Sequence, residues 1–424
     1  MTRDNAKLLR NSFGGIVGNI MEWYDFAVFG FLAPIITLQF FPNDTPLTGL
    51  IMTYGIFATG YMMRPIGGIF FGYIGDKMGR KKALIISIFM MAIPTMLIGF
   101  LPTYEQIGIY AALLLILLRM IQGLSVGGEL IGSISFMTEI SSKKHRGFLS
   151  SLTLGGAVGG LLLGSAVVTL LGMIFGEDIM HDWGWRVPFL AGIIILMIGL
   201  WLREGMSESP EFLKTIQKCD SISLKDAVIK KKFKILQLSA MISLATIASY
   251  IMFVWMPTYL STIIKHPLQD ALAINTLSMI VLFITIPISG YLSDIFGSKK
   301  IMILSTLAML ILVYPLFMML QKGQWHIVLI AQMIFAFIVG FLQGPMPSLM
   351  AEMFPVSIRY TSIGIGYNFS VALLGGTAPI VATWLVEITA NPLFPSFYIM
   401  FFAIVSLVAL VFHEETKTVK GRFA

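Results

Sequence analysis

The chain has 424 residues, 57% of them hydrophobic and 12% charged, with a formal net charge of +7 and a mean hydropathy of +0.85. Soluble domains average about 45–50% apolar and about 25% charged residues, so a water-soluble enzyme or binding domain is excluded. The basic residues sit in short clusters between apolar runs, which is the pattern of membrane orientation and not of a nucleic-acid surface. Cys219 is the only cysteine, which excludes an intramolecular disulfide and a cysteine-based metal site.

Taken in chain order, the apolar runs predict twelve membrane-spanning helices. They lie at roughly 13–40, 48–74, 81–101, 106–138, 147–175 and 185–203, then at 234–263, 270–293, 300–320, 326–351, 359–388 and 394–412. The first run is too long for a secretory leader and holds Glu22 and Asp25. A polar, Lys-rich linker over 204–233 separates the domain 1–203 from the domain 234–424. Of the Lys and Arg residues, 24 fall on the side of the two termini and the linker, against Lys265 and Lys322 on the other. That split predicts cytoplasmic termini and an even number of spans.

The halves repeat one another. Gly72-Tyr-Ile-Gly-Asp76-Lys-Met-Gly79-Arg80-Lys-Lys returns as Gly290-Tyr-Leu-Ser-Asp294-Ile-Phe-Gly297-Ser298-Lys-Lys at an offset of 218. Glu139 with Arg146 returns as Glu352 with Arg359 at an offset of 213. The fold class expected is therefore all-α and integral to the membrane, with two six-helix bundles related by a pseudo-two-fold axis, a transporter architecture. An acid in a basic loop needs a partner, such as a helix N-terminus or a nearby Arg. Asp76, Arg80 and Asp294, with Glu139, Arg146, Glu352 and Arg359, are the gating candidates. Ser298 stands where the first copy has Arg80, so the second gate is expected to be weaker.

Charges inside hydrocarbon are costly and mark function. Glu22 and Asp25 in the first span, Arg64 in the second, and Arg119 and Glu129 in the fourth are embedded. At 100° per residue, Arg119, Gln122 and Glu129 share one stripe. Three carboxylates against two guanidiniums leave one negative charge over, which a proton or a cationic ligand would balance. The alternative is that Arg119 is tied permanently to Asp25 or Glu129 and only joins helices. In the second half Tyr250 and Trp255 are the aromatic candidates for a cationic ligand. Trp183 and Trp185 read as an interfacial belt. Glycines 155, 156, 159, 160 and 164 predict close helix approach in the fifth span. The sequence holds no phosphate-binding loop, metal-ligand cluster or nucleophile–base arrangement, so no cofactor is expected and an ion gradient is the energy source.

Asp76-Lys-Met-Gly-Arg80-Lys and Arg119-Met-Ile-Gln122-Gly123 resemble signatures of the major facilitator superfamily. Gly18-Asn-Ile-Met-Glu22-Trp-Tyr-Asp25-Phe, Arg64-Pro-Ile-Gly-Gly68, Gln122-Gly-Leu-Ser-Val-Gly-Gly-Glu129 and Asp182-Trp-Gly-Trp-Arg186-Val-Pro are similar to its metabolite:proton symporter family. That resemblance runs nearly the whole chain, through Glu352-Met-Phe-Pro355 and Arg359-Tyr360. It implies a multi-pass protein of the cytoplasmic (inner) membrane that works as a monomer and imports a small molecule with a proton. Met256-Pro-Thr-Tyr-Leu260, Asn368-Phe-Ser-Val371 and Trp384-Leu-Val-Glu387 are similar to members that carry a zwitterionic osmolyte, proline or glycine betaine. Arg119 also suits a carboxylate ligand, so a di- or tricarboxylate such as α-ketoglutarate or citrate stays open, as does export by another branch. By the same resemblance Glu22, Tyr24, Asp25, Arg119, Gln122 and Glu129 are the substrate and proton candidates. The segment beyond the last span is short and carries no coiled coil, so no osmotic control is implied.

Overall fold

The computed structural model describes residues 3–42, 46–204, 207–209, 212–213 and 224–414. Among the described residues every regular element is helical. In the first half the long helices are α1 (Arg3–Phe31), α2 (Pro46–Met78), α3 (Arg80–Phe100), α4 (Ile109–Ile140), α5 (Arg146–Gly176) and α6 (Arg186–Glu204). In the second they are α7 (Ile229–Ser261), α8 (Asp270–Phe296), α9 (Ser298–Leu320), α10 (Trp325–Glu352), α11 (Val356–Thr389) and α12 (Phe394–Val411). The ten from α3 to α12 are each long and apolar enough to cross a membrane, and α1 and α2 complete the twelve expected from the sequence. Large apolar side chains face outward along them, including Phe100, Tyr110, Met173, Ile311 and Phe401. A surface of that kind is stable only against hydrocarbon.

The repeated loop owes its sequence to one tight turn. Gly79 and Gly297 are the single residues between α2 and α3 and between α8 and α9, with φ of 108° and 95°. A side chain at either would be strained, so both copies end in glycine.

The chain divides into two compact units, Met1–Ile140 with Leu152–Ser221, and Ser141–Ser151 with Ile222–Ala424. The start of α5 therefore belongs with the second unit. Within the first unit, α2 and α4 approach through glycines. A Cβ on Gly123 would overlap the Gly60 backbone, one on Gly127 the Arg64 carbonyl, and one on Gly67 the Leu124 carbonyl. Small residues at such spacing let membrane helices touch backbone to backbone, and here they bring Arg64 beside the Arg119–Glu129 stripe. On α5, Gly156, Gly160 and Gly164 pack against Ile16, Ile20 and Ala27 of α1, while Gly155 faces open space. This seats Glu22 and Asp25 in the interior.

An apolar cluster around Tyr24, Phe29, Phe40, Trp185 and Phe189 closes one end of this unit. Trp185 was expected in an interfacial belt but is fully buried there, packed edge-on against Phe40 at 5.9 Å. Trp183, 49% exposed, does face outward. Arg186 stacks on Trp185 and donates to the Gly99 and Leu101 carbonyls at 3.0 and 2.6 Å, satisfying the end of α3.

Candidate functional site

The embedded charges of the first unit resolve into three pairs. In the first, Arg119 Nη1 donates to Asp25 Oδ2 at 2.6 Å and to Gln122 Oε1 at 2.9 Å. Gln122 Nε2 donates to Asp25 Oδ1 at 3.0 Å and to Thr95 at 2.8 Å. Both Asp25 oxygens thus have a donor. The guanidinium also lies over the rings of Phe29 and Phe26, 4.2 and 5.3 Å from their centroids. A carboxylate and a guanidinium with aromatic faces alongside can exchange each other for the two ends of a zwitterion.

The second pair was not expected. Glu129 receives the Arg203 guanidinium on one oxygen and the Ser87 hydroxyl on the other. Arg203 is fully buried and also donates to the carbonyls of Gly14, at 3.0 Å, and Leu84. It joins α6 to α1, α3 and α4. Arg203 closes an apolar run and reads from sequence as a cytoplasmic orientation charge. With it the embedded ledger is three against three, so the surplus negative charge inferred from the sequence is corrected.

The third pair is looser. Arg64 Nη2 stands 4.0 Å from Glu22 Oε1, both 1% exposed, and Arg64 lies 5.5 Å from the centroid of the Tyr61 ring. Tyr24 is not among these groups. Its hydroxyl donates to the Pro188 carbonyl at 2.6 Å and its ring lies in the apolar cluster.

In the second unit Tyr250 precedes, and Trp255 ends, a π-helical turn of α7, Ile251–Trp255. Trp255 is 3% exposed, donates to Thr383 at 2.9 Å and stacks on Tyr259 at 4.7 Å. Tyr250 packs against Gly375, in a second π turn, Val371–Gly375, on α11.

Among the gating candidates, Arg80 is fully buried between Asp76, at 2.9 Å, and Glu139, at 3.1 Å. Sequence reasoning missed three residues here. Glu208 accepts from the backbone N–H of Arg80 and Lys81 at 3.0 and 3.2 Å, an anion at the start of α3. Ser209 donates to Glu139, and Phe212 stacks on Arg80 at 5.0 Å. All three lie in the stretch read as a polar linker, whose residues 205–206, 210–211 and 214–223 fall outside those described. In the second unit Asp294 accepts from Gly147 and Phe148 N–H at 2.6 and 2.9 Å, at the start of α5. Gly147 and Gly290 make room for that approach, since a Cβ on either would overlap the other helix. Ser298 meets Ser348 at 2.9 Å. Arg359 Nε donates to the Ala351 carbonyl at 3.0 Å, and Glu352 is exposed. Arg146 lies in the first turn of α5.

Twelve long helices with paired charges buried in one unit define a multi-pass membrane transporter. Residues 12–222 match the family described as sugar (and other) transporter, and 266–423 match the major facilitator superfamily. The glycine betaine/proline/ectoine/pipecolic acid transporter OusA of Dickeya dadantii is 35% identical, with 99% of this chain and 86% of the relative aligned. The proline/betaine transporter of Escherichia coli is 35% identical over 97% of this chain and 85% of its own length. A structure of the proton:xylose symporter XylE bound to 6-bromo-6-deoxy-D-glucose superposes with a TM-score of 0.79 and 18% identity, covering 96% of this chain and 95% of that one. A crystal structure of a D-xylose-proton symporter gives 0.68 and 19%, with 97% and 99% covered. The chain belongs to the major facilitator superfamily, in its metabolite:proton symporter family, and has that superfamily's twelve-helix fold.

Proposed function

We propose that the chain is a proton-coupled symporter that imports a zwitterionic osmolyte, proline or glycine betaine, by alternating access. The observation that carries this reading is the Asp25–Arg119 pair beside Phe26 and Phe29. Its two charges match the cationic and carboxylate ends of one small ligand, and the rings suit a quaternary ammonium. The relatives named above, aligned over most of their length, point to the same cargo. Asp76 with Arg80, and Asp294 with the start of α5, are the contacts that would break and re-form as access alternates. The protein works as a monomer in the cytoplasmic membrane, with both termini in the cytoplasm, and draws on the proton gradient without a cofactor.

Uptake of labelled proline, glycine betaine, α-ketoglutarate and citrate into proteoliposomes under an imposed pH gradient tests the reading. Accumulation of the first two supports it. Accumulation of only the organic acids would replace it with carboxylate symport, for which the Arg119 guanidinium is also suited.

A further inference from the structure

Four carboxyl groups are buried among the described residues of the first unit, and three of them are supplied with donors, Glu139 by Arg80 and Ser209. Asp25 receives Arg119 and Gln122, and Glu129 receives Arg203 and Ser87. Glu22 is built differently. It is 1% exposed, and among the described residues neither of its oxygens has a hydrogen-bond partner. Arg64 stands at 4.0 Å, close enough for attraction and too far for a hydrogen bond. The other charges acting on it are Glu129, on α4, and Asp25, on its own helix, and both repel an anion. Asn19 lies three residues earlier on the same face of α1 and is fully buried, and among the described residues neither its amide nitrogen nor its oxygen has a hydrogen-bond partner.

An ionised carboxylate offers about four acceptor sites, and burying one without donors costs several kcal/mol. A protonated one is neutral and becomes a donor itself. Four orphaned polar atoms, on Glu22 and Asn19, therefore mark a place that a proton completes.

We propose that Glu22 carries the coupling proton, while Asp25 keeps its charge and meets the cationic end of the substrate. One O–H bond forms on Glu22 when the site takes a proton from one side, and the same bond breaks when the proton leaves to the other; nothing else is made or lost. Loading Glu22 leaves Arg64 as the counter-charge that draws the proton off again. The division of labour explains why one helix face carries two carboxyls three residues apart: one is held by donors, the other is left without them. This inference rests on the symport reading above.

Two measurements test it on the full chain in liposomes. Infrared difference spectra between acidic and alkaline buffer, taken without substrate, read the carbonyl stretch of a buried neutral carboxyl. That band is expected in the wild type, in Asp25→Asn and in Glu22→Asp, and absent in Glu22→Gln. Its persistence in Glu22→Gln, or its loss in Asp25→Asn alone, overturns the proposal. The second measurement is transport. One pH unit drives at most about tenfold accumulation through a one-proton symporter. Glu22→Gln is expected to bring the ratio to about one while exchange of labelled for unlabelled proline or glycine betaine continues, and wild-type accumulation in that variant overturns the assignment. The infrared arm reads Glu22 whatever the cargo, so a wild type that carries neither compound would overturn the substrate reading and leave this one to the spectra.

Discussion

Arg203 and Glu129, 74 positions apart, form a fully buried ion pair whose remaining donors and acceptors are taken up by Ser87 and the carbonyls of Gly14 and Leu84. Every polar atom at this junction of four helices is spoken for, and Gly18 is wedged against it: a Cβ there would overlap both Glu129 and Arg203. The pair clamps these helices together, and its full set of donors separates it from Glu22.

Removing one member leaves the other buried without its counter-charge. Arg203→Ala or Glu129→Ala should cost about 3–5 kcal/mol and lower the apparent melting temperature in detergent. Replacing both together with methionine should recover most of that loss, because two apolar side chains of similar volume need no counter-charge. The double variant should also retain gradient-driven uptake. If it folds and exchanges substrate yet no longer accumulates it, Glu129 has a part in coupling beyond the clamp.

The Asp25–Arg119 pair should behave in the opposite way. Arg119→Lys keeps the charge but gives up the planar group that reaches Asp25 and Gln122 together and stacks on Phe29. Its expected effect is a weaker apparent affinity for substrate, by roughly tenfold for a loss of about 1.4 kcal/mol, with little change in melting temperature. Saturation curves of proline and glycine betaine uptake beside a melting curve measure both.

The helix count, the repeat and the two turning glycines were legible in the sequence because each depends on neighbours along the chain. Gly79 and Gly297 announce themselves by recurring at one offset, and the embedded positions of Glu22, Asp25, Arg64, Arg119 and Glu129 follow from the apolar runs around them. What could not be read is which charge meets which. Arg203 ends an apolar run, where local context gives the same signal as a loop arginine, and its burial depends on Gly14, Leu84 and Glu129 from three other helices. Glu208 and Ser209 escaped for the same reason. Their segment is polar and looks solvated until the start of α3 and the Arg80–Glu139 pair are brought beside it.

The glycine contact between α2 and α4 sets how near Arg64 comes to the stripe on α4. Gly123→Leu would drive a side chain into the Gly60 backbone, which has no rotamer with which to yield. Overpacking of this kind costs about 1–3 kcal/mol, and here it should also spread the helices. The expected result is a lower melting temperature with uptake lost more steeply than folded protein. Gly155→Ala, whose added Cβ meets nothing within 4 Å among the described residues, serves as the control and should change neither.

The gate can be weighed at Asp294. Its two oxygens accept from consecutive N–H groups at the start of α5, so the carboxylate answers both the unpaired donors and the positive end of the helix. Asp294→Asn removes the charge and exchanges one acceptor oxygen for a donor that would face an N–H. The loss should be about 1.5–3 kcal/mol, the value of hydrogen bonds to a charged group, enough to shift a two-state population by roughly tenfold or more. Spin labels placed on α5 and α8 in a Cys219→Ser background would report the change as a redistribution between two distances. Asp294→Glu, which keeps the charge on a longer arm, should restore part of the original population. A variant whose distances match the wild type, with uptake intact, would show that this contact does not gate the cycle.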